Sequence, residues 1–213
     1  MTFIPRILHD YVSILSEKGL QVGIDAFLAN GSTAQSKPSV LDLVSQISHQ
    51  ISASSSNLNL PLITSVVVYI GAQSAPDFLS ADSGQGNAMT QLPAAQIYKH
   101  LLSSLDAEGR YHVINAMANQ LRYPNSHTYF FMKLILFFFI ENDDEFLQEQ
   151  ITRVLLERLI VHRPHPWGLL ITFIELINDP QYAFRSHSFT KINPAIERVL
   201  ENVSASLRPT SGG

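Results

Sequence analysis

The sequence has no cysteine and few charged side chains. Its 213 residues include 18 Asp and Glu and 14 Lys and Arg, which gives a formal net charge of −4 with the eight His counted as neutral. Without cysteine the chain has no disulfide framework, no thiolate nucleophile and no cysteine-ligated zinc. The mildly acidic balance argues against a protein whose main function is to bind phosphate backbones.

Charged residues make up 15 % of the chain, well below the ~25 % of typical soluble domains, and they are unevenly distributed. Ten of the 32 charged side chains lie in residues 1–105. One interpretation is a Ser-rich first half made of ordinary helices and loops. The other is a first half that hides much of its surface against another chain, and composition does not decide between them.

The sequence also lacks an apolar run of the length that a signal peptide or a membrane span needs. The first residues show no basic segment leading into a long apolar stretch. The most apolar stretch covers residues 134–140, and extending it back to Tyr129 gives twelve residues interrupted by Lys133. A bilayer span needs about 20 residues. We therefore expect a soluble, intracellular protein.

No catalytic motif is present. The one Gly-x-Gly pattern, at Gly84 and Gly86, has Met89 where a dinucleotide fingerprint needs a third small residue. The chain has neither the Gly-Lys pair of a P-loop nor a Gly-x-Ser-x-Gly elbow. His162 and His165 are separated by a proline and flank an arginine, which disfavours a shared metal ion. The sequence therefore predicts no enzyme and no metal site.

Helical periodicity dominates, and strand signals are nearly absent. The one β-branched run, residues 63–70, is compatible with a buried strand. It follows Pro61 at a plausible first helical turn and has no partner segment with alternating polarity, so we interpret it as a buried helix. Polar segments with Gly and Pro predict loops at residues 31–38 and 74–91. Capping residues are expected at Gly19, Ser39, Asp106, and Asn125 or Ser126.

The pattern as a whole predicts an all-α protein, a HEAT-like stack of antiparallel helical hairpins with about nine or ten helices. No strict repeat of ~40 residues is visible, so the repeats are degenerate. A last helix is expected from Pro194 to about Ala205. We expect one helical domain over residues 1–207, followed by a disordered tail at 208–213.

Two proline-rich corners between predicted helices carry aromatic and basic residues. One is Arg163-Pro164-His165-Pro166, which leads into Trp167, and the other is Tyr123-Pro124-Asn125, which follows Arg122. Arg, Tyr and Trp are enriched among the residues that dominate protein interfaces. The alternative is that Trp167 belongs to the core and that the prolines only end helices.

Two long strings in the second half resemble one family. They are YHVINAMANQLRYPNSHTYFF at residues 111–131 and QEQITRVLLERLIVHRPHPWGLLITFIELINDPQYAF at residues 148–184. Both resemble the C-terminal superfamily-homology domain of Not-one, the large scaffold subunit of the CCR4-NOT deadenylase complex. The resemblance is dense over residues 95–203. It departs where the family usually has an aromatic in place of Arg185 and Cys-Ala-Pro at residues 192–194, so local packing or one contact there is expected to differ.

The resemblance implies an all-helical docking platform without catalytic residues or cofactors, and a chain that is a fragment of a longer protein. In the family this domain binds the heterodimer of Not-two and Not-three (or Not-five), and in some animals short peptides of mRNA-binding repressors. The implied processes are mRNA deadenylation, mRNA decay, translational repression and transcription regulation, in the cytoplasm with its processing bodies and in the nucleus.

Position at the corners and on polar faces within the matched strings selects the candidate partner-binding residues, which are Arg122, Tyr123, Asn125, Arg153, Arg158, Arg163, His165 and Trp167. An alternative is direct RNA binding by Arg153, Arg158 and Arg163, which predicts an affinity that falls steeply with salt. The net charge, and two glutamates on the same predicted helix, argue for RNA contact that is only weak or indirect. A third alternative, an enzyme of unrecognised type, has only the two histidines near residue 163 in its favour.

Overall fold

The computed structural model describes residues 6–31, 39–52, 57–81, 88–141, 144–162 and 164–191. Within these ranges the chain consists of ten α-helices and three 3₁₀ turns, with no strand. This confirms the predicted all-α class. The α-helices are α1 (Arg6–Glu17), α2 (Gln21–Asn30), α3 (Val40–Ile51), α4 (Leu60–Ala81), α5 (Ala88–Gln91), α6 (Pro93–Ser104), α7 (Ala107–Ala118), α8 (Ser126–Glu141), α9 (Glu145–Val161) and α10 (Trp167–Asn178). The 3₁₀ turns are Pro180–Tyr182, Phe184–Ser186 and Ser188–Thr190.

The helices pack in two layers. In one layer α1 contacts α4, α4 contacts α8, and α8 contacts α10. In the other layer α3 contacts α6, α6 contacts α7, and α7 contacts α9. The layers meet chiefly where α4 packs on α7. Two layers of stacked helices make the HEAT-like arrangement of helical hairpins that the sequence predicted.

The β-branched run at residues 63–70 is part of α4, as predicted. Val66, Val67 and Ile70 are fully buried because α4 has packed neighbours on several sides. Tyr98 of α6, itself fully buried, donates its hydroxyl to the Val67 carbonyl oxygen at 2.7 Å. A helix that is apolar around its whole circumference belongs at the centre of a domain.

The prediction of a loop over residues 74–91 is wrong at both ends of that segment. Helix α4 continues through Pro76 to Ala81, and residues 88–91 form α5, while residues 82–87 lie outside the described part of the chain. Pro76 removes one backbone donor, but Phe78 just beyond it is buried against the Phe130 ring at 5.8 Å. This packing outweighs the local preference of Pro and Ser to end a helix.

Among the described helices, α4 is long and apolar enough to cross a membrane by length and composition. It has 22 residues, and its most apolar window has a mean hydropathy of 1.3. The buried share of that window is 67 %. The most apolar stretch of the sequence, residues 134–140, lies instead in α8.

The predicted capping residues that the structure describes are confirmed. Ser39 accepts a hydrogen bond from the Asp42 amide, and Asp106 accepts one from the Gly109 amide at 2.8 Å. Gly19 has a φ of +66°, and its amide donates to the Ser16 carbonyl oxygen after α1 while the next amide reaches back five residues. This pair of bonds is the Schellman arrangement, which glycine adopts without steric cost.

The chain after α10 packs three aromatic side chains onto the end of α8. Tyr182 and Phe184 are buried against the Phe139 ring, and Phe189 is buried against the Phe184 ring. Arg185 is exposed, so an arginine where the family has an aromatic leaves this packing intact. The helix expected from Pro194 and the tail at 208–213 lie outside the described residues.

Candidate functional site

The first corner connects α7 to α8 over residues 119–125. Leu121 is buried there and anchors the corner to the core, while Tyr123 is 72 % exposed. The Arg122 Nε donates to the Asn119 carbonyl oxygen at 3.2 Å, which holds the start of the guanidinium against the end of α7. The corner therefore presents an aromatic ring and a cation side by side.

The second corner connects α9 to α10. Helix α9 ends at Val161, and Pro166 is the N-cap of α10, which begins at Trp167. The His165 ring Nδ1–H donates to the His162 carbonyl oxygen at 2.9 Å, which closes the corner on itself. Arg163 lies outside the described residues.

Backbone hydrogen bonds join the two corners. The Leu169 amide donates to the Leu121 carbonyl oxygen at 3.0 Å, and the Gly168 amide donates to the Arg122 carbonyl oxygen at 3.5 Å. Glycine is required for this approach, because a Cβ at position 168 would lie 2.4 Å from the Thr128 Cγ2 and 3.0 Å from the Leu121 carbonyl carbon. Backbone contacts therefore fix the relative position of the two corners.

Between the corners lies an open cleft of about 410 Å³, which we call the corner cleft. Its lining residues are Ala118, Asn119, Leu121, Arg122, Tyr123, Arg158, His162, Pro164, His165, Pro166, Trp167 and Leu169. Five of the eight candidate partner-binding residues are among them. Trp167 is 46 % exposed, so it is a surface residue of the cleft and the alternative that places it in the core is wrong.

The corner cleft is basic. The Arg158 guanidinium is anchored by Asn115, because its Nη2 donates to the Asn115 Oδ1 at 2.6 Å and its Nε donates to the same oxygen at 3.1 Å. Burial lowers the pKa of Arg158, and the neighbouring charge of Arg122 lowers it further. No Asp or Glu is among the described lining residues.

Arg153 lies outside the corner cleft. Its Nε contacts the Glu157 carboxylate at 2.7 Å, and its guanidinium lies 5.8 Å from the centre of the Tyr111 ring. Glu149 lies four residues before Arg153, a spacing that favours an ion pair on a helix, but the ion pair that Arg153 makes is the one with Glu157. Arg153 lines a separate depression of about 310 Å³ between α7 and α9, and its role as a contact residue stays a prediction.

Asn125 also lies outside the corner cleft, and it caps α8. Its Oδ1 accepts a hydrogen bond from the Thr128 amide at 2.8 Å. We expect Asn125→Ala to lower the free energy of unfolding by about 1 kcal/mol, because one donor at the start of α8 loses its partner. Asn125→Asp, which retains an acceptor, should preserve stability in the same chemical denaturation experiment. A loss of partner binding without a loss of stability would contradict the capping role.

Some residues of the site carry no sequence signal that would have selected them. His162 and Asn119 line the corner cleft because of where α9 and α7 end. Ile160 and Val161, which directly precede His162, are 55 % and 74 % exposed. Among the described residues, no group of three His, Cys, Asp or Glu side chains lies close enough to hold a metal ion.

The chain is similar to known proteins over nearly its whole length. A family model described as CCR4-Not complex component, Not1, matches residues 1–204. The CCR4-NOT transcription complex subunit let-711 of Caenorhabditis elegans is 37 % identical over 91 % of this chain and 7 % of its own length. The general negative regulator of transcription subunit 1 of Schizosaccharomyces pombe is 42 % identical over 62 % of this chain and 6 % of its own length. The chain thus spans less than a tenth of these relatives.

Solved structures show the same fold. The NOT1 superfamily homology domain from Chaetomium thermophilum superposes with a TM-score of 0.74 at 30 % identity, over 92 % of this chain and 38 % of that chain. A structure of a Not1 C-terminal domain in complex with Not4 superposes with a TM-score of 0.71 at 23 % identity, over 89 % of this chain and 39 % of that one. The second likeness concerns the fold alone. Since the family model covers almost the entire described chain, the protein belongs to the Not1 family of CCR4-Not complex components.

Proposed function

We propose that the chain is a non-catalytic docking domain that binds the Not-two/Not-three (or Not-five) heterodimer within the CCR4-NOT complex. In that role it supports mRNA deadenylation, mRNA decay and translational repression. The observation that carries the proposal is the corner cleft, in which exposed Tyr123 and Trp167 stand on a backbone framework fixed by the Leu169–Leu121 hydrogen bond. Family membership supplies the complex to which such a surface belongs.

The mechanism is binding to a preformed surface. An extended partner segment loses conformational entropy when it docks, and burial of its apolar side chains offsets that loss. A surface that is already ordered adds no ordering cost of its own. Asn115 anchors Arg158, and the Asn119 carbonyl oxygen holds Arg122. Both cations of the corner cleft are therefore ordered before a partner binds.

The non-catalytic part of the proposal is supported by the chemistry of the cleft. Its described titratable side chains include two arginines and two histidines, with no carboxylate to orient a histidine as a general base. The related fold that was solved in complex with Not4 is likewise a protein–protein assembly, which supports a protein subunit as the partner here.

A pull-down tests this function. The purified chain is mixed with a Not-two/Not-three heterodimer that includes its extended N-terminal regions, at ~0.3 M salt to suppress contacts due to charge alone. We expect a stable complex with one heterodimer for each chain. We expect Tyr123→Ala and Arg163→Glu each to weaken it by about tenfold, as for residues that dominate an interface.

Lys99→Ala is the matched control, because Lys99 is an exposed cation that pairs with Glu141 outside the corner cleft. It should leave the complex unchanged. Absence of a complex with the unmodified chain would contradict the proposed function. An unchanged affinity in both the Tyr123 variant and the Arg163 variant would retain the docking function but exclude these two residues from the interface.

A further inference from the structure

The corner cleft is positively charged, whereas the chain as a whole has a negative net charge. The chain carries a net charge of −4, yet two arginines and no described carboxylate line this one cleft. Among the described residues, neither Arg122 nor Arg158 forms an ion pair. Two guanidinium groups that face one cleft with no carboxylate in its described lining are suited to an anionic ligand.

The contacts of the two arginines leave donors for such a ligand. Arg158 uses Nε and Nη2 to bind Asn115, and its Nη1 has no partner among the described residues. Arg122 uses Nε to bind Asn119, and both of its terminal nitrogens are without a described partner. Burial is the main cause that lowers the pKa of Arg158, and the charge of Arg122 lowers it further, while Tyr111 and Glu157 raise it. An anion between the two arginines would offset their mutual repulsion.

The apolar part of the corner cleft indicates that the ligand also carries an apolar group. Tyr123 and Trp167 are 72 % and 46 % exposed, and both line the same space. A volume of about 410 Å³ is at the small end of the range in which a few side chains or a small ligand are accommodated. The cleft therefore fits one large apolar side chain with charged neighbours better than it fits the surface of a folded domain.

A peptide fits these features better than RNA. Nucleic acid binding draws its affinity from a series of cations that follow the phosphates. The nearest further arginine along α9, Arg153, is neutralised by Glu157 at 2.7 Å, and Glu149 lies beside it in the separate depression. Among the described residues of α9, positive charge without an ion-pair partner is therefore confined to the corner cleft, which is the size of a short segment.

We propose that the corner cleft binds a short acidic segment of a partner protein, with a large apolar side chain between Tyr123 and Trp167 and carboxylates on Arg122 and Arg158. This inference rests on the proposed docking function and names the chemistry of the segment that this surface recognises. Acidic residues supply the charge-assisted hydrogen bonds, and the apolar residue supplies the buried area.

Fluorescence anisotropy with defined peptides tests the proposal. The probe is a short labelled peptide of Asp and Glu around a single Phe, titrated with the unmodified chain at ~0.15 M salt. One matched peptide replaces Asp and Glu by Asn and Gln, and another replaces Phe by Ala. We expect each replacement to weaken binding by about tenfold or more. Equal binding of the acidic and the amide peptides would overturn the proposal.

Two arginine variants locate the peptide. Arg122→Ala should weaken binding of the acidic peptide by about tenfold, whereas Arg185→Ala, the same change of charge outside the cleft, should leave it within about twofold. Both sites are exposed, so both variants should retain the thermal stability of the unmodified chain. If both variants bind equally, the site lies elsewhere and the proposal is wrong.

An oligoadenylate titration separates the RNA alternative. If it binds more tightly than the acidic peptide and loses affinity in Arg122→Ala, the cleft is an RNA site and the proposal is overturned. Failure of this inference is distinct from failure of the docking function. If the unmodified chain forms the heterodimer complex but does not bind the acidic peptide, only the proposal of an acidic segment is wrong. If the acidic peptide binds but no heterodimer complex forms, the proposed heterodimer partner is wrong instead.

Discussion

Phe131→Ala is expected to lower the free energy of unfolding by about 3–5 kcal/mol. Phe131 is fully buried in α8, and its ring lies 5.2 Å from the Phe130 ring and 4.9 Å from the His127 ring. On its other side the ring occupies the space left by Gly71 of α4, where a Cβ would lie 2.3 Å from the Phe131 Cζ. Removing the ring therefore leaves a cavity between the two central helices of one layer.

Chemical denaturation of matched variants checks this expectation. Phe146→Ala is the control, because the Phe146 side chain is 48 % exposed and contacts the Arg110 guanidinium at the surface. It should cost about 1 kcal/mol or less. Gly71→Ala combined with Phe131→Leu should cost less than Phe131→Ala alone, because the added methyl group fills part of the cavity. Equal losses for Phe131→Ala and Phe146→Ala would contradict the central position of Phe131.

Gly168→Ala is expected to lower the free energy of unfolding by about 1–3 kcal/mol, which is typical of overpacking. The new Cβ would lie 2.4 Å from the Thr128 Cγ2 and 3.0 Å from the Leu121 backbone. Neither helix start can yield freely, because Leu169 is hydrogen-bonded to Leu121 and the Thr128 Oγ1 donates to the Gln120 carbonyl oxygen at 2.8 Å. The substitution should separate the two corners and so also weaken binding at the corner cleft.

A second substitution tests this origin of the effect. Thr128→Ser removes the Cγ2 that the new methyl group would meet and retains the hydroxyl that binds Gln120. Added to Gly168→Ala, it should recover part of the lost stability, while the contact with the Leu121 backbone remains. Thermal and chemical denaturation of the four proteins of this cycle measure the coupling. Additive losses would contradict the close approach at Gly168.

Local chemistry made most of the helices predictable. Ser39 and Asp106 start helices because a short polar side chain accepts a backbone bond there. Pro76 shows where local signals fail, because the burial of Phe78 against α8 holds α4 together beyond the proline. No pattern in the surrounding sequence indicates that partner, which lies more than 50 residues away.

The sequence selected five of the residues that line the corner cleft, but it did not predict the geometry of the cleft. Proline next to Tyr123 and Trp167 marks two corners, but only tertiary packing brings Leu121 to Leu169 and creates a cleft between them. Arg158 and Arg153 lie about one and a half turns apart on α9, and the sequence alone does not distinguish their roles. The first is anchored by Asn115 and the second is neutralised by Glu157, and these different contacts follow from what lies beside each face of the helix.

Hydrogen–deuterium exchange of the chain with and without the Not-two/Not-three heterodimer tests the central claim most directly. Amides that become part of an interface exchange more slowly, because opening the local structure then also requires the partner to dissociate. The account predicts slower exchange at residues 119–125 and 162–169, which flank the corner cleft, when the heterodimer is bound. Unchanged exchange at both corners, in a sample where the complex has formed, would contradict it.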